Sequence, residues 1–525
     1  MIDQREVADF LGRSDSYAPP PAKVERIDTH AALVFLAGER AYKIKRAVRF
    51  SFMDFSTREK RAAAILQELR LNRRAAPDLY LGVTPILRRG ADLVLGDPVA
   101  DPADGFVLSP ETEELAVVMR RFDRDGQFDH LAERGRLDGA LIEALVRQVV
   151  DLQAQADPVA DYGGAEGLRR VIAENEEDFA AVSDILPADR VARLISSCRA
   201  HLERAAALLD ARRDAGFVRR CHGDLHLRNI VLLDGRPTLF DCIEFSTAIA
   251  TVDLGYDLAF LLMDLDQRGL RPLANRAFNG YLEAAARAGL GGPDWLAALP
   301  LFLSLRAGVR AKVTAPAVAT QRDAASAEAL RREALDYLSA AEGYLAPPPP
   351  RLLAVGGLSG SGKSTLARAL APALGASPGA VVLRSDQIRK RLAGACETRP
   401  LPPEAYSAAG SAAVYAEMAR LAAVVLASGH AVVLDAVAAR PEERRAFRRL
   451  ADSAGLRFDG LWLEAPAETL KRRVSARRAD ASDADATVVE RQLGYDLGEL
   501  DWTRLYAEGG PETVLKRARR SLDLG

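Results

Sequence analysis

Val355-Gly-Gly-Leu-Ser-Gly-Ser-Gly-Lys-Ser-Thr365 is the stretch on which the reading of the chain turns. The apolar run Leu352 to Val355 precedes it and reads as a buried strand. Leu366-Ala-Arg-Ala-Leu-Ala-Pro-Ala-Leu374 follows as the start of an amphipathic helix. Gly357-x-x-x-x-Gly362-Lys363-Ser364 therefore sits at a strand-to-helix turn, where loop N–H groups and a helix N-terminus converge on whatever the loop encloses. That arrangement suits phosphate. The pattern predicts a nucleotide cradle of Gly357, Ser359, Gly360, Ser361, Gly362, Lys363, Ser364 and Thr365, with Lys363 reaching the β and γ phosphates and Ser364 holding Mg²⁺.

Downstream, two more apolar runs end in acids. Ala380 to Leu383 leads into Arg384-Ser-Asp386-Gln-Ile-Arg389, and Ala431-Val-Val-Leu-Asp435 forms the next strand. In open α/β sheets ligands gather beyond the carboxyl ends of the strands. Asp386 is thus the expected base for an acceptor hydroxyl, Arg389 a group that orients acceptor or phosphate, and Asp435 a second support for Mg²⁺. Capping of the next helix is the plainer role for Asp386, and it is compatible with catalysis. Arg457 to Glu464 supplies a fourth strand. On the arginine-rich helix Thr469 to Arg478, Arg473 and Arg477 lie one turn apart and are expected over the triphosphate, a solvated basic face being the alternative. Asp480 to Asp485 reads as a mobile lid edge.

Upstream, Ala346-Pro-Pro-Pro-Pro350 cannot continue a helix and marks a linker. A short helix over residues 2 to 12 opens the chain. Ala32 to Leu36 and Arg40 to Lys45 form a hairpin that puts Lys43 and Lys45 on one strand face. Ser56-Thr-Arg-Glu59 reads as a capping box for a helix to about Arg74. Glu59 is the expected partner of a strand lysine, with Glu68 as its rival and Lys45 as the alternative to Lys43. Strands at Gly82 to Leu87 and Leu115 to Met119 complete a small sheet, and residues 131 to 209 are mostly helical. Arg306 and Arg310 read as a solvated helix face, with contact to an anion as the alternative.

The segment His222-Gly-Asp-Leu-His-Leu-Arg-Asn229 precedes a predicted hairpin of Ile230 to Leu233 and Thr238 to Phe240 around Asp234-Gly235, and Asp241 follows. Asp224 and Asn229 have the Asp-x-x-x-x-Asn spacing of a kinase catalytic loop, and Asp241 stands where that arrangement needs a metal-binding carboxylate. Phosphoryl transfer requires a carboxylate to take the acceptor proton and oxygen ligands to hold Mg²⁺ against the triphosphate. Asp224 fits the first task, Asn229 and Asp241 the second. Local turn hydrogen bonding is the plain alternative for the Asp–Asn pair.

The 525 residues are too many for one ordinary core, so several domains are expected. A net charge of −2 gives no overall reason to favour nucleic acid as a partner. Cys198, Cys221, Cys242 and Cys396 lack metal-ligand spacing and are expected to be buried thiols. No membrane partner is expected, because no apolar run in the sequence approaches the length of a membrane span, and the acidic N-terminal stretch points to a cytoplasmic protein.

His222 to Asn229 and Phe240-Asp-Cys-Ile-Glu-Phe245 resemble the catalytic and metal segments of the aminoglycoside phosphotransferase group, which includes choline and related small-molecule kinases. Asp253 to Asp257 resembles its following acidic segment. The resemblance implies Asp224 as base, Asn229 and Asp241 as metal ligands, and Lys43 with Glu59 as the phosphate-positioning ion pair; the group's Gly-x-Gly-x-x-Gly loop has no counterpart here. From Arg351 onward the chain resembles small P-loop kinases of the gluconate kinase, polynucleotide kinase and zeta-toxin type. The whole is similar to bacterial proteins that fuse the two. The implied architecture is α/β and α+β: a bilobal protein-kinase-like domain over 1–345 (small lobe about 1–122, helical lobe about 123–345), a proline linker over 346–350, and a P-loop α/β domain with a mainly parallel sheet over 351–525. The implied activity is ATP- and Mg²⁺-dependent phosphorylation of small hydroxyl-bearing metabolites at two sites. Phosphorylation of polynucleotide 5′-hydroxyls by the second domain, and an ATP-binding regulator with a degenerate first domain, are the alternatives.

Overall fold

The computed structural model describes residues 4–50, 53–102, 106–321, 323–396, 398–476 and 481–524. By compactness they fall into two units, Met1–Gly167 with Arg212–Leu261, and Leu168–Ala211 with Leu262–Gly525.

The first unit is built on strands β1 (Val24–Asp28), β2 (Ala32–Ala37), β3 (Arg40–Lys45), β4 (Arg49–Phe50), β5 (Met53–Asp54), β6 (Tyr80–Arg89), β7 (Asp92–Leu95) and β8 (Thr112–Arg120). Six of them form an antiparallel sheet in the order β1-β2-β3-β8-β6-β7, and β4 pairs with β5. Strand alternation assigns its two faces. Leu33, Phe35, Tyr42 and Ile44 pack with Val7, Phe10 and Leu11 of the helix Gln4–Leu11. Ala41, Val83, Leu115 and Val117 pack with Ala62, Ile65 and Leu69 of the helix Arg58–Arg73. Lys43 and Lys45 follow Ala41 onto this second face. The edge strands β1 and β7 were not anticipated; β1 is exposed along most of its length, so it lacks the apolar alternation that marks a half-buried strand.

The helix Arg58–Arg73 starts one residue later than the predicted capping box. Thr57 is its N-cap and accepts from the Lys60 N–H, while the Ser56 hydroxyl donates to Asp54. Its buried stripe runs through Arg61, Ala62, Ile65, Glu68, Leu69 and Asn72. The unit also contains β9 (Val218–Arg220), β10 (Ile230–Leu233), β11 (Arg236–Leu239) and β12 (Thr251–Asp253). β10 and β11 form the predicted hairpin, with Asp234 and Gly235 both at positive φ.

The second unit carries a five-stranded sheet of β13 (Arg351–Gly357), β14 (Val381–Arg384), β15 (Val432–Asp435), β16 (Arg457–Glu464) and β17 (Thr503–Tyr506). Its order is β14-β15-β13-β16-β17 and every pairing is parallel. The chain runs from β13 to β14 on one side, and from β15 past β13 to β16 on the other, so the crevice at the carboxyl end of β13 is the expected ligand position. Leu353, Val355, Val433, Leu461 and Leu463 pack there with Leu366, Ala367 and Leu370 of the helix Lys363–Leu370.

The helix Arg271–Arg287 lies along the outer edge of β14. Asn279 Oδ1 accepts from the Val382 N–H (2.7 Å) and its Nδ2 donates to the Ala380 carbonyl (3.2 Å), which also accepts from Asn275 Nδ2 (3.1 Å). Two side-chain amides thus satisfy backbone groups that an edge strand otherwise leaves open. Glu283 pairs with Arg391 (2.9 Å), and Arg287 donates to the Ala395 carbonyl (2.8 Å). These residues precede the proline segment in sequence yet share a compact unit with the P-loop sheet.

Three sequence expectations change on this scaffold. Arg306 and Arg310 do not form a solvated face: Arg306 is buried, and the Arg310 guanidinium lies over the Tyr337 ring at 5.4 Å. The helix Ala408–Ala427 is 20 residues long and apolar enough by composition to cross a membrane, but Val414, Met418, Leu421, Ala422 and Val425 are buried within the unit. Cys198, Cys221 and Cys242 are buried free thiols, whereas Cys396 is exposed.

Candidate active sites

In the first unit β3 and the helix Arg58–Arg73 bring two lysines to one carboxylate. Lys43 Nζ lies 2.8 Å from Glu68 Oε1, and Lys45 Nζ lies 2.6 Å from Glu68 Oε2. Lys43 also meets Asp241 (2.6 Å), and Lys45 meets Glu244 (2.6 Å). Glu59, the expected partner, is exposed and pairs with its neighbour Arg58 (3.2 Å). The reason is helical phase: nine residues separate Glu59 from Glu68, two and a half turns, so they occupy opposite faces. Glu244 was quoted in the sequence without a role; its partner stands 199 positions away.

Burial opposes charge on every member of this cluster, and the partners decide the outcome. Lys43 is desolvated, but Asp241 and Glu68 hold its ammonium form well above the ordinary lysine range. Lys45 is raised in the same way by Glu68 and Glu244. For Glu68 and Asp241, desolvation is outweighed by the lysines and both carboxyls titrate below their usual values. Glu244 is the exception, its burial outweighing Lys45 and pushing its carboxyl up.

Asp224 and Asn229 meet across the catalytic loop. Asn229 Nδ2 donates to Asp224 Oδ2 (2.8 Å) and to the Asp224 carbonyl (3.0 Å), an orientation that reserves Oδ1 as its acceptor atom. His226 Nε2 lies 3.2 Å from Asp224 Oδ2. His222 is fully buried; its Nε2 donates to the Phe240 carbonyl (2.9 Å) and its Nδ1 accepts from the Asp224 N–H (3.3 Å). Since a carbonyl can only accept, the tautomer is set, and burial keeps this imidazole below its usual pKa. His222 therefore ties the loop carrying Asp224 to the segment carrying Asp241. The acidic segment acts beneath it: Asp257 accepts from the Gly223 N–H (2.9 Å), and Asp253 pairs with Arg212 (2.7 Å).

Asp241 has φ +62°, a costly conformation for a residue with a Cβ. Its N–H donates to the Tyr80 oxygen (3.2 Å), and the next N–H, of Cys242, donates to Asn72 Oδ1 (2.8 Å). Glu68 and Asn72 lie one turn apart, so a single helix positions both Lys43 and the Asp241 backbone. The loop between β1 and β2 is Thr29-His30-Ala31, without a glycine.

In the second unit the phosphate loop has the predicted strand-to-helix setting. Gly357, Gly360 and Gly362 are all at positive φ. A Cβ on Gly360 would stand 2.5 Å from the Leu470 carbonyl oxygen, and one on Gly357 would stand 2.6 Å from that of Leu463. Lys363 Nζ donates to the Leu358 carbonyl (3.0 Å), the Ser359 N–H donates to Gln492 Oε1 (2.7 Å), and Ser361 is buried. Thr365 is exposed. At the carboxyl ends of β14 and β15, the Arg384 guanidinium reaches Asp435 Oδ2 (3.3 Å) and Ser364 Oγ (3.4 Å).

Asp386 lies in the first turn of the helix Ser385–Leu392. Burial and the nearby Asp435 charge push its carboxyl up, against opposing effects of Arg384, Lys363 and a hydrogen bond from Ser482. Arg389 stacks on Tyr406 at 4.8 Å and donates to the Ala405 carbonyl. Asp483 accepts from Lys390 (2.6 Å), from the Leu401 N–H (2.9 Å) and from Tyr406. Residues 482 and 483 of the expected lid edge are therefore fastened beside Asp386. Arg473 is corrected in role: its guanidinium donates to the carbonyls of Ser361 (3.4 Å) and Ala507 (2.8 Å), bracing the loop from behind rather than facing a triphosphate. Arg477 lies outside the described residues.

The phosphotransferase enzyme family model matches residues 37–299, and an AAA domain model matches residues 352–495. An uncharacterized protein of Mycobacterium tuberculosis is 34% identical over 487 residues, 90% of each chain. Among solved structures, a sugar kinase from Janibacter is 25% identical, covering 34% of this chain and 96% of its own, with a TM-score of 0.27. A choline/ethanolamine kinase family protein from Mesorhizobium loti is 14% identical, covering 64% and 99%, with a TM-score of 0.35. The chain belongs to the phosphotransferase enzyme family and is an ATP-dependent kinase. More particularly, it is a fusion of an aminoglycoside-phosphotransferase-like domain with a P-loop kinase domain.

Proposed function

We propose that the chain is a bifunctional, Mg²⁺-dependent kinase whose domains, 1–345 and 351–525 joined by 346–350, each transfer the γ-phosphoryl group of ATP to a hydroxyl of a small polar metabolite such as a sugar or polyol. The observation that carries this reading is the grouping of Asp224, bonded by Asn229 at 2.8 Å, with Asp241, whose carboxylate is acted on by the Asp224 charge and held by Lys43 at 2.6 Å. A turn stabilised only by local hydrogen bonds has no need of a strained carboxylate against a buried lysine.

In the first domain Asp224 takes the proton of the acceptor hydroxyl, and Lys43, positioned by Glu68, holds the phosphates. Asn229 Oδ1 and the Asp241 carboxylate are hard oxygen donors suited to Mg²⁺, which keeps water and phosphate oxygens as its other ligands. No group of three His, Cys, Asp or Glu side chains arranged for a metal occurs among the described residues. When bound, Mg²⁺ offsets the charge on the transferring group. In the second domain Lys363 and the loop N–H groups hold the triphosphate, Ser364 and Asp435 are the oxygen donors on the metal side, and Asp386 accepts the proton while Arg389 orients the acceptor.

The test is ATP consumption with sugars, polyols, aminoglycosides, nucleosides and 5′-hydroxyl oligonucleotides, comparing wild type with Asp224→Ala and Lys363→Ala. Loss of a different acceptor, or of a different step on one acceptor, in each variant is expected. If only Lys363→Ala matters, the first domain is not a kinase in its own right. Transfer confined to oligonucleotides would assign the second domain to polynucleotide ends.

A further inference from the structure

Arg384 is the last residue of β14 and stands in parallel register beside Asp435, the last residue of β15. It is 3% exposed. Its Nε is 3.3 Å from Asp435 Oδ2 and its Nη2 is 3.4 Å from Ser364 Oγ, so the guanidinium lies between the two side chains assigned above to the metal. Both contacts are longer than the roughly 2.7–2.9 Å of a settled charge-assisted bond. A guanidinium stays charged at any accessible pH and cannot be buried without an anionic or acceptor neighbour. Asp386 is another carboxylate that acts on this guanidinium, so drawing Asp435 and Ser364 onto a cation removes one acidic neighbour of Arg384 and opens a place for another anion. The group that arrives with that cation is the triphosphate.

Resting on the P-loop reading proposed above, we infer that Arg384 is a second protein cation for the triphosphate, beside Lys363, and that it exchanges Asp435 for a phosphate oxygen when nucleotide binds. The guanidinium's planar fork suits this exchange, because carboxylate and phosphate present oxygens at similar spacing. The strand pair thus carries its own counter-ion: Arg384 keeps Asp435 company while the site is without nucleotide, and nucleotide with metal relieves both. Two consequences separate this from a structural ion pair. Arg384 contributes most to ATP binding when no metal is present to share the phosphate charge, and Asp435 restrains Arg384 rather than helping it.

The experiment is calorimetric titration of the full chain with ATP, in EDTA and in Mg²⁺, taking as the P-loop component the binding that Lys363→Ala removes. Arg384→Met should weaken that component about tenfold or more in EDTA, the worth of one charge-assisted hydrogen bond, and by a smaller factor in Mg²⁺. Arg384→Lys should recover part of the EDTA loss. Asp435→Asn, which leaves the cation in place, should preserve or strengthen binding in EDTA and reduce the gain on adding Mg²⁺; it also decides the matter if Arg384→Met fails to fold. Equal losses for Arg384→Met in both conditions, no loss in either, or weakened EDTA binding in Asp435→Asn would overturn the exchange. A missing Lys363-dependent component would instead remove the P-loop reading itself, and the inference with it.

Discussion

Glu68→Gln is the perturbation that most directly tests how the first site is held. The carboxylate is fully buried and faces Lys43 at 2.8 Å and Lys45 at 2.6 Å, whose side chains are 13% and 3% exposed. At an effective dielectric of about 20, each contact is worth roughly 6 kcal/mol of gross attraction, most of it offset by desolvation. The amide keeps one acceptor for one lysine but turns an NH₂ toward the other, leaving a buried ammonium short of a counter-charge. Breaking a buried pair in this way costs about 3–5 kcal/mol, and the retained bond puts the expectation near 3. In urea that is a midpoint shift of about 1–2 M for the transition of the first unit. Far-UV circular dichroism is the suitable probe, because Trp295, Trp462 and Trp502 all lie in the second unit. Lys43 would also lose its fixed position, lowering kcat/KM of the Asp224-dependent reaction about a hundredfold. Because the folded Glu68 titrates below its usual value, its contribution is present above the ordinary carboxylate pKa and disappears as pH falls through the folded one. The stability gap between wild type and variant should narrow correspondingly in acid. Glu59→Gln should change neither midpoint nor turnover; if it does both while Glu68→Gln is silent, the pairing described here is not the working one.

Gly360→Ala should abolish Lys363-dependent ATP binding, whereas Gly362→Ala, equally strained in φ but with open space around its Cβ, should retain part of it; calorimetry reads the difference. The raised carboxyl of Asp386 places the acid limb of the P-loop reaction above the ordinary carboxylate range, since the base must be ionised to act, and a pH profile of kcat/KM checks this. The same shift means that ionising Asp386 costs stability as pH rises through its folded pKa, so Asp386→Asn should raise the melting temperature at neutral pH while eliminating transfer. A fragment of residues 351–525 should self-associate on size exclusion, because it exposes the Val382 N–H and Ala380 carbonyl that Asn275 and Asn279 cover in the full chain.

The phosphate loop was legible because its chemistry is local: glycines at positive φ, a lysine and a hydroxyl, all within one strand-to-helix turn. The buried runs of β13, β15 and β16 were legible for the same reason. Helical phase separates Glu59 from Glu68 but does not choose between them, because Ile65 and Leu69 lie about midway between the two. The burial of the polar residues Arg61 and Asn72, which extends the stripe toward Glu68, has no hydrophobic mark in the sequence. Glu244, Tyr80 and Asn72 left no local signal, since each acts on a residue more than 150 positions away. Arg473 shows the opposite failure: its charge suggested a ligand, and only the loop carbonyls it meets reveal a brace. The exposed edges β1 and β17 fell below the hydrophobic pattern that identifies central strands.

The two asparagines on the helix Arg271–Arg287 have a genetic consequence. A lesion there maps, by position in the reading frame, to the stretch before the prolines that also encodes Asp224, yet the backbone it leaves open belongs to the strand running into Arg384 and Asp386. Such an allele would score as a defect of the second activity and would fail to be complemented by a gene segment beginning after the prolines. A gene segment meant to supply the P-loop sheet with its covered edge therefore has to begin upstream of that helix rather than at the visible seam in the protein.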